Sequence, residues 1–277
     1  MKKFILCIAL FAIVALTGAC GQDENVVRVG VVGAFNQQWY LIRDMVAEEG
    51  IILEIIYFTD FATPNRALDD GDLDINAFQH KSFLAHEIAT FGYKIEYFAE
   101  TFLMPLNIFK NPARISSLED IQDGHTIGMP SDPINTSRSL RLLEYAGLIS
   151  LYDIPEGEVA NELHIRERYV NINIITAEAG MLAHMLPDIE AAIINGVQAL
   201  TAGLFADIYS IQRENITEEF REGLTNVIVA RSVDVREDGE RMRMFRIIAE
   251  AYNSREVYDF MWEEFGGVAI PVWPVTR

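Results

Sequence analysis

In this chain of 277 residues an arginine, several amides and a set of aromatics recur where strand-like segments run out. The apolar stretch ending at Phe58 is followed by Thr59, Asp60 and Phe61, and the one ending near Ala77 delivers Asn76, Phe78, Gln79 and His80. Behind Met129 come Ser131, Asp132, Asn135 and Arg138, and behind Ile194 comes Asn195. In open α/β sheets, ligands sit beyond the carboxyl ends of the strands. Arg138 also lies on a segment with Asp132 as its cap and Pro133 as its first residue, and a helix N-terminus favours anions. A guanidinium fork matches a carboxylate bidentately, and a charged hydrogen bond of that kind is worth ~1.5–3 kcal/mol. Such a set suits a zwitterion with an apolar tail. Each member also has a plainer reading: Arg138 paired to a surface carboxylate, Asn195 in a turn, the aromatics in the core, His80 as a hydrogen-bonded structural histidine.

Other chemistry is missing from the pattern. No GxxxxGK[ST], no GxGxxG after a strand, no HExxH and no GxSxG occurs, and no nucleophile–base pair stands out. The histidines His80, His86, His125, His164 and His184 share no metal-ligand spacing. The two cysteines are Cys7 and Cys20, both at the extreme N-terminus, so neither a disulfide core nor a thiolate metal site is expected. A net charge of −19 repels nucleic acid and anionic headgroups. No cofactor, metal or enzymatic activity is expected.

The N-terminus points outside the cytoplasm. Lys2 and Lys3 precede an apolar run from Phe4 to Leu16, then Thr17, Gly18, Ala19 and Cys20. The run is shorter than the ~20 residues of a spanning helix and reads as a cleavable signal over residues 1–19. Small residues before Cys20 resemble a lipobox, although Thr17 stands where an aliphatic residue is usual. Cleavage there frees Cys20 for acylation and attachment to a lipid bilayer, with 20–25 as a lipidated tether. The plainer alternative is an ordinary secretory signal.

The rest alternates strand and helix patterns. Strand-like segments are read at 26–32, 53–58, 73–77, 95–109 (interrupted by Pro105), 126–129, 173–176, 191–194 and 226–230. Helical patterns cover 38–49, a short piece opening at Pro64, 82–90, the segment from Asp132 to Gly147, 179–186, 240–253 and 254–264. This alternation argues an α/β fold with mixed, mainly parallel sheets flanked by helices. Two extended segments, 102–109 and 225–231, are read as crossings between two lobes, one formed by 26–105 plus 230–277 and the other by 106–229. A single larger doubly wound domain fits the pattern as well.

The runs FTDFATPNRALDDGDLDINAFQHKSFL and IGMPSDPINTSRSLRLLEYAGLISL are similar to those of the MetQ/NlpA family of methionine-binding lipoproteins. AAIINGVQAL, TNVIVAR and YNSREVYDFMWEEFGG resemble it too, and the likeness runs from about Arg28 to Gly267. The resemblance implies a two-lobed periplasmic-binding-protein fold of type II with two hinge crossings. It also implies capture of L-methionine for a methionine ABC permease and its ATPase. Carried over, it places the ligand-carboxylate arginine at Arg138 and two polar-end amides at Asn195 and Asn226. Phe61, Phe78 and Met104 would form the apolar side, with His80 at its edge, while Asn76 and Asn135 fit either ligand contact or loop fixing. The chain departs from the family's usual tyrosines at Phe61, Gln198 and Leu224, and from its tyrosine or histidine near Met104. A methionine-containing dipeptide, another apolar amino acid, or an adhesin with a vestigial pocket are the rival expectations.

Overall fold

The computed structural model describes residues 25–155 and 158–274. The expected signal and the lipidation site Cys20 lie outside the described residues. Strands in chain order are β1 (Val26–Val32), β2 (Ile52–Phe58), β3 (Ile75–His80), β4 (Ile95–Leu103), β5 (Asn107–Lys110), β6 (Thr126–Pro130) and β7 (Ile149–Leu151). Then come β8 (Ile165–Arg168), β9 (Asn173–Ala177), β10 (Ala191–Ile194), β11 (Ser210–Arg213), β12 (Thr225–Arg231) and β13 (Ile270–Pro271). They build a six-stranded sheet, β13-β4-β12-β3-β1-β2, a five-stranded sheet, β11-β5-β10-β6-β9, and a small β7-β8 pair.

The inner strands β1 and β12 are buried on both faces, which is why they are rich in Val and Ile. In β12 the two faces are explicit: Ile228 and Ala230 join the core with Trp39, Phe245 and Tyr252, while Val227 and Val229 pack with Leu68, Leu73 and Leu84. Trp39 meets Tyr252 edge-on at 5.3 Å, pinning the helices Gln38–Ala47 and Glu240–Tyr252 together. The second lobe has its own core, with Leu140 and Leu143 of the helix Pro133–Tyr145 packed near Ile127 and Ile193. That helix starts and stops as its sequence dictates. Asp132 accepts from the N–H of Asn135 at 2.9 Å, and Gly147 at φ +73° lets the Leu148 N–H reach back to the Leu143 carbonyl.

The two lobes are joined by two crossings, the outgoing one where the sequence places it and the return one elsewhere. Pro105 divides the 95–109 stretch, so β4 stays in the first sheet and β5 enters the second. The return was read at 225–231 with a boundary after 229. Instead β12 lies along its whole length between β4 and β3, and the chain crosses back in the segment just after β11. A strand returning from the cleft enters at the edge where β3 ends, so it must run antiparallel to β3 and β4. Parallel pairing is therefore confined to β2-β1-β3 in one sheet and β10-β6-β9 in the other. β3 also runs further than read, to His80, which is at once its last residue and the cap of the helix Lys81–Phe91.

Candidate functional site

Between the lobes lies a cavity lined by residues of both, the kind of place where small-ligand sites form. Eight of the nine residues singled out from sequence line it: Phe61, Phe78, His80, Met104, Asn135, Arg138, Asn195 and Asn226. Asn76 does not. It sits on β3 one residue before Ala77, which does line the cavity, with its own side chain turned to the Pro64 carbonyl and Asn65. There it is fully buried, donating to Asn65 Oδ1 at 3.0 Å and accepting from Gln79 Nε2 at 3.1 Å. Its role is to hold the start of the helix Thr63–Asp69 against β3.

One wall is aromatic. Phe61 and Phe78 stack at 6.1 Å with 22° between planes, and Phe83 stands edge-on to them at 6.2 and 6.1 Å. Phe83 was not read from the sequence; its place, three residues into the helix capped by His80, was the available signal. Met104 closes the wall from the outgoing crossing, against the first residue of the helix Gly196–Thr201. A Cβ on Gly196 would lie far inside van der Waals contact with the Met104 side chain, which would have to move to admit it.

The opposite wall is polar. Arg138 is 8% exposed, and four of its five N–H groups have protein partners. Nε and Nη2 form a fork on Glu214 at 3.0 and 2.6 Å, Nη2 also donates to the Met104 carbonyl at 3.3 Å, and Nη1 donates to Asn135 Oδ1 at 3.2 Å. The bidentate face expected to meet a ligand carboxylate is thus turned to Glu214, and one Nη1 N–H is left. Glu214, in the return crossing, was missed by the sequence reading. It also accepts from the Leu106 N–H at 2.9 Å, and its own N–H donates to the Leu106 carbonyl, so it laces the two crossings together.

His80 and Asn195 supply the remaining free polar atoms. His80 Nδ1 accepts the Phe83 N–H at 3.3 Å, which places the ring proton on Nε2. Nε2 is buried without a partner. Burial, and next the Arg138 charge, push the His80 pKa well below its usual value, outweighing the Gly223 carbonyl and Asn135, which raise it; the ring is neutral. Asn195 Nδ2 donates to Asn135 Oδ1 at 3.1 Å, leaving Asn195 Oδ1 buried and unpaired. Asn226 Nδ2 donates to the Phe102 carbonyl at 3.2 Å. The free set includes two donors, Arg138 Nη1–H and His80 Nε2–H, and the acceptor Asn195 Oδ1, with the Oδ1 and second amide N–H of Asn226 beside them. Two donors match a carboxylate and the acceptor matches an ammonium.

Of the departures from the family pattern, Phe61 and Met104 lie in the cavity, whereas Gln198 and Leu224 do not. Gln198 Nε2 reaches instead across the cleft to the Thr59 carbonyl at 3.4 Å. Among the described residues no group of three ligating side chains is placed to hold a metal, and no helix is long and apolar enough to cross a membrane.

The NlpA lipoprotein model matches residues 27–273. The chain belongs to the NlpA lipoprotein family. It is 36% identical to the D-methionine-binding lipoprotein MetQ of Salmonella typhimurium over 280 residues, covering 98% of each chain. Its fold superposes on the substrate-binding protein of a methionine transporter from Streptococcus pneumoniae with a TM-score of 0.83 and 29% identity, over 90% of this chain and 96% of that one. A nutrient-binding protein from Burkholderia cenocepacia, solved bound to methionine, gives 0.81 and 31% identity, covering 89% and 100%. As an NlpA-family protein the chain has the two-lobed binding-protein fold read from its sequence.

Proposed function

We propose that this NlpA-family protein is an extracytoplasmic binding protein that captures methionine in the interlobe cavity and delivers it to an ABC permease and its ATPase. The observation that carries the proposal is the free polar set facing the aromatic wall. The ligand carboxylate takes the two N–H donors of Arg138 and His80, the ammonium donates to Asn195 Oδ1, and the thioether lies against Phe61, Phe78 and Phe83. Thioether–aromatic contacts are worth ~0.3–1.5 kcal/mol each, and burying such a side chain contributes ~1.5–3 kcal/mol. Capture proceeds by lobe closure without covalent chemistry, and the closed pair of lobes is what the permease reads. Acylated Cys20 anchors the protein to the lipid bilayer on its extracytoplasmic face.

The test uses the chain from Gly21 onward, purified, denatured, and its released small molecules identified by mass spectrometry. Refolded, ligand-free protein is then titrated with L-methionine, D-methionine and methionine-containing dipeptides. The reading from sequence is L-methionine, while the Salmonella relative is named for the D form, so the enantiomers are compared directly. Stoichiometric binding of either enantiomer supports the proposal. Binding of dipeptides alone, or of none of these, would sink it.

A further inference from the structure

The one charge that lines the cavity is paired. Among its lining residues Arg138 is the only one that carries a charge, because His80 is held neutral by burial and by Arg138 itself. Arg138 in turn is forked onto Glu214, whose side chain is 11% exposed. Glu214 does not line the cavity, yet it neutralises the one cation that does.

We infer that Glu214 is the specificity-determining residue that makes this site select zwitterions over anions of the same shape. The inference rests on the proposed capture of methionine. An amino-acid zwitterion brings no net charge into the closed cleft, so a neutral Arg138–Glu214 pair leaves nothing uncompensated. The 2-hydroxy acid analogue, with the same side chain and carboxylate but a hydroxyl in place of the ammonium, brings one net negative charge. Buried net charge is costly unless it is paired. An unpartnered Arg138 would supply that pairing and favour the anion; Glu214 withholds it. Glu214 also fixes which edge of Arg138 faces the ligand, leaving a single-legged contact at Nη1 in place of a fork.

The experiment titrates ligand-free wild type, Glu214→Gln and Glu214→Asp with methionine and with its 2-hydroxy acid analogue by calorimetry. Wild type is expected to prefer methionine, and Glu214→Gln to shift that preference towards the anion by about tenfold or more. Glu214→Asp keeps the charge and is expected to keep the wild-type preference with weaker overall binding. Equal losses for both ligands in Glu214→Gln, or the same shift in both variants, would overturn the inference by making Glu214 a purely structural clasp. A second measurement needs no variant. Wild type should discriminate against both the hydroxy acid and the decarboxylated amine, 3-methylthiopropylamine, by factors within about tenfold of each other. A strong preference of wild type for the anion over the amine would overturn the inference even if Glu214→Gln failed to fold. Wild-type binding of methionine with an unshifted ratio in Glu214→Gln removes this inference alone; no methionine binding at all removes both it and the proposed function.

Discussion

Thr201 Oγ1, in the second lobe, accepts the backbone N–H groups of Ala34 at 3.1 Å and Phe35 at 3.3 Å in the first. One hydroxyl thus satisfies two donors across the cleft, and it does so beyond the cavity. With Gln198 bridging to the Thr59 carbonyl nearby, these contacts exist only while the lobes are together. Thr201→Val keeps the shape and removes the acceptor. At ~0.5–1.5 kcal/mol per neutral hydrogen bond, ligand affinity should fall about three- to tenfold. The loss should lie mainly in a faster dissociation rate, read by stopped-flow fluorescence. An unchanged dissociation rate would show that these bonds do not hold the closed state.

Asn195 offers its unpaired acceptor, Oδ1, to the cavity. If that atom receives the ligand ammonium, Asn195→Ala should weaken methionine binding about 10- to 100-fold, the range for a hydrogen bond to a charged group. The 2-hydroxy acid analogue, which has no ammonium, should lose less. Equal losses for both ligands would place the ammonium elsewhere.

Gly196→Ala should damage the site through Met104, not through the backbone, because the added methyl collides with the Met104 side chain. Overpacking of this kind costs ~1–3 kcal/mol, and part of it should appear as weaker ligand binding because Met104 lines the cavity. Adding Met104→Ala should restore much of the loss in a double-mutant cycle. Additive losses in the double variant would mean the two side chains do not meet.

His80 makes stability depend on pH in a definite direction. Its folded pKa is depressed, by burial first and by Arg138 second, while the unfolded chain titrates near the ordinary value of about 6.5. Above that value neither state holds the proton. Below it the unfolded state binds a proton that the folded state refuses, so stability falls as pH falls towards the folded pKa. His80→Asn keeps a side-chain acceptor for the helix cap and removes this slope. Urea midpoints at pH about 5.5 and about 7.5 give the comparison. Matching pH dependence in variant and wild type would rule His80 out as the source.

Glu87, on the helix Lys81–Phe91, behaves oppositely. Its carboxyl is buried with Oε2 unpaired, and burial raises its pKa; an Asn65 hydrogen bond opposes this and the Asp132 charge adds to it. A raised carboxyl pKa means the folded state holds the proton longer, so its cost grows as pH rises from the unfolded value through the folded one. Glu87→Gln should therefore stabilise the protein at neutral pH and make little difference at pH about 4. Thermal melts at both values test this, and a destabilised variant at neutral pH would contradict it.

The α/β alternation, the Asp132–Pro133 start of the arginine helix and its Gly147 stop were legible because each is written within a few neighbouring residues. So was the polar and aromatic inventory at the strand ends, since that is where open sheets bind ligands. The family motifs named eight of the residues that the fold gathers around one cavity. Asn76 looked the same as its neighbours in sequence, and only the direction of its side chain, towards Pro64 and Asn65, kept it out of the cavity. The β-branched run Thr225–Arg231 announced a buried strand but not which sheet would bury it. Glu214 lies 76 residues from Arg138, and Thr201 lies 167 from Ala34. Periodicity and capping are local chemistry, whereas the pairing of a buried charge and the meeting of two lobes depend on contacts that exist only once the chain has folded. What this chain is built to be was therefore readable from residue order; which edge of Arg138 is free, and what neutralises it, was decided by the tertiary structure.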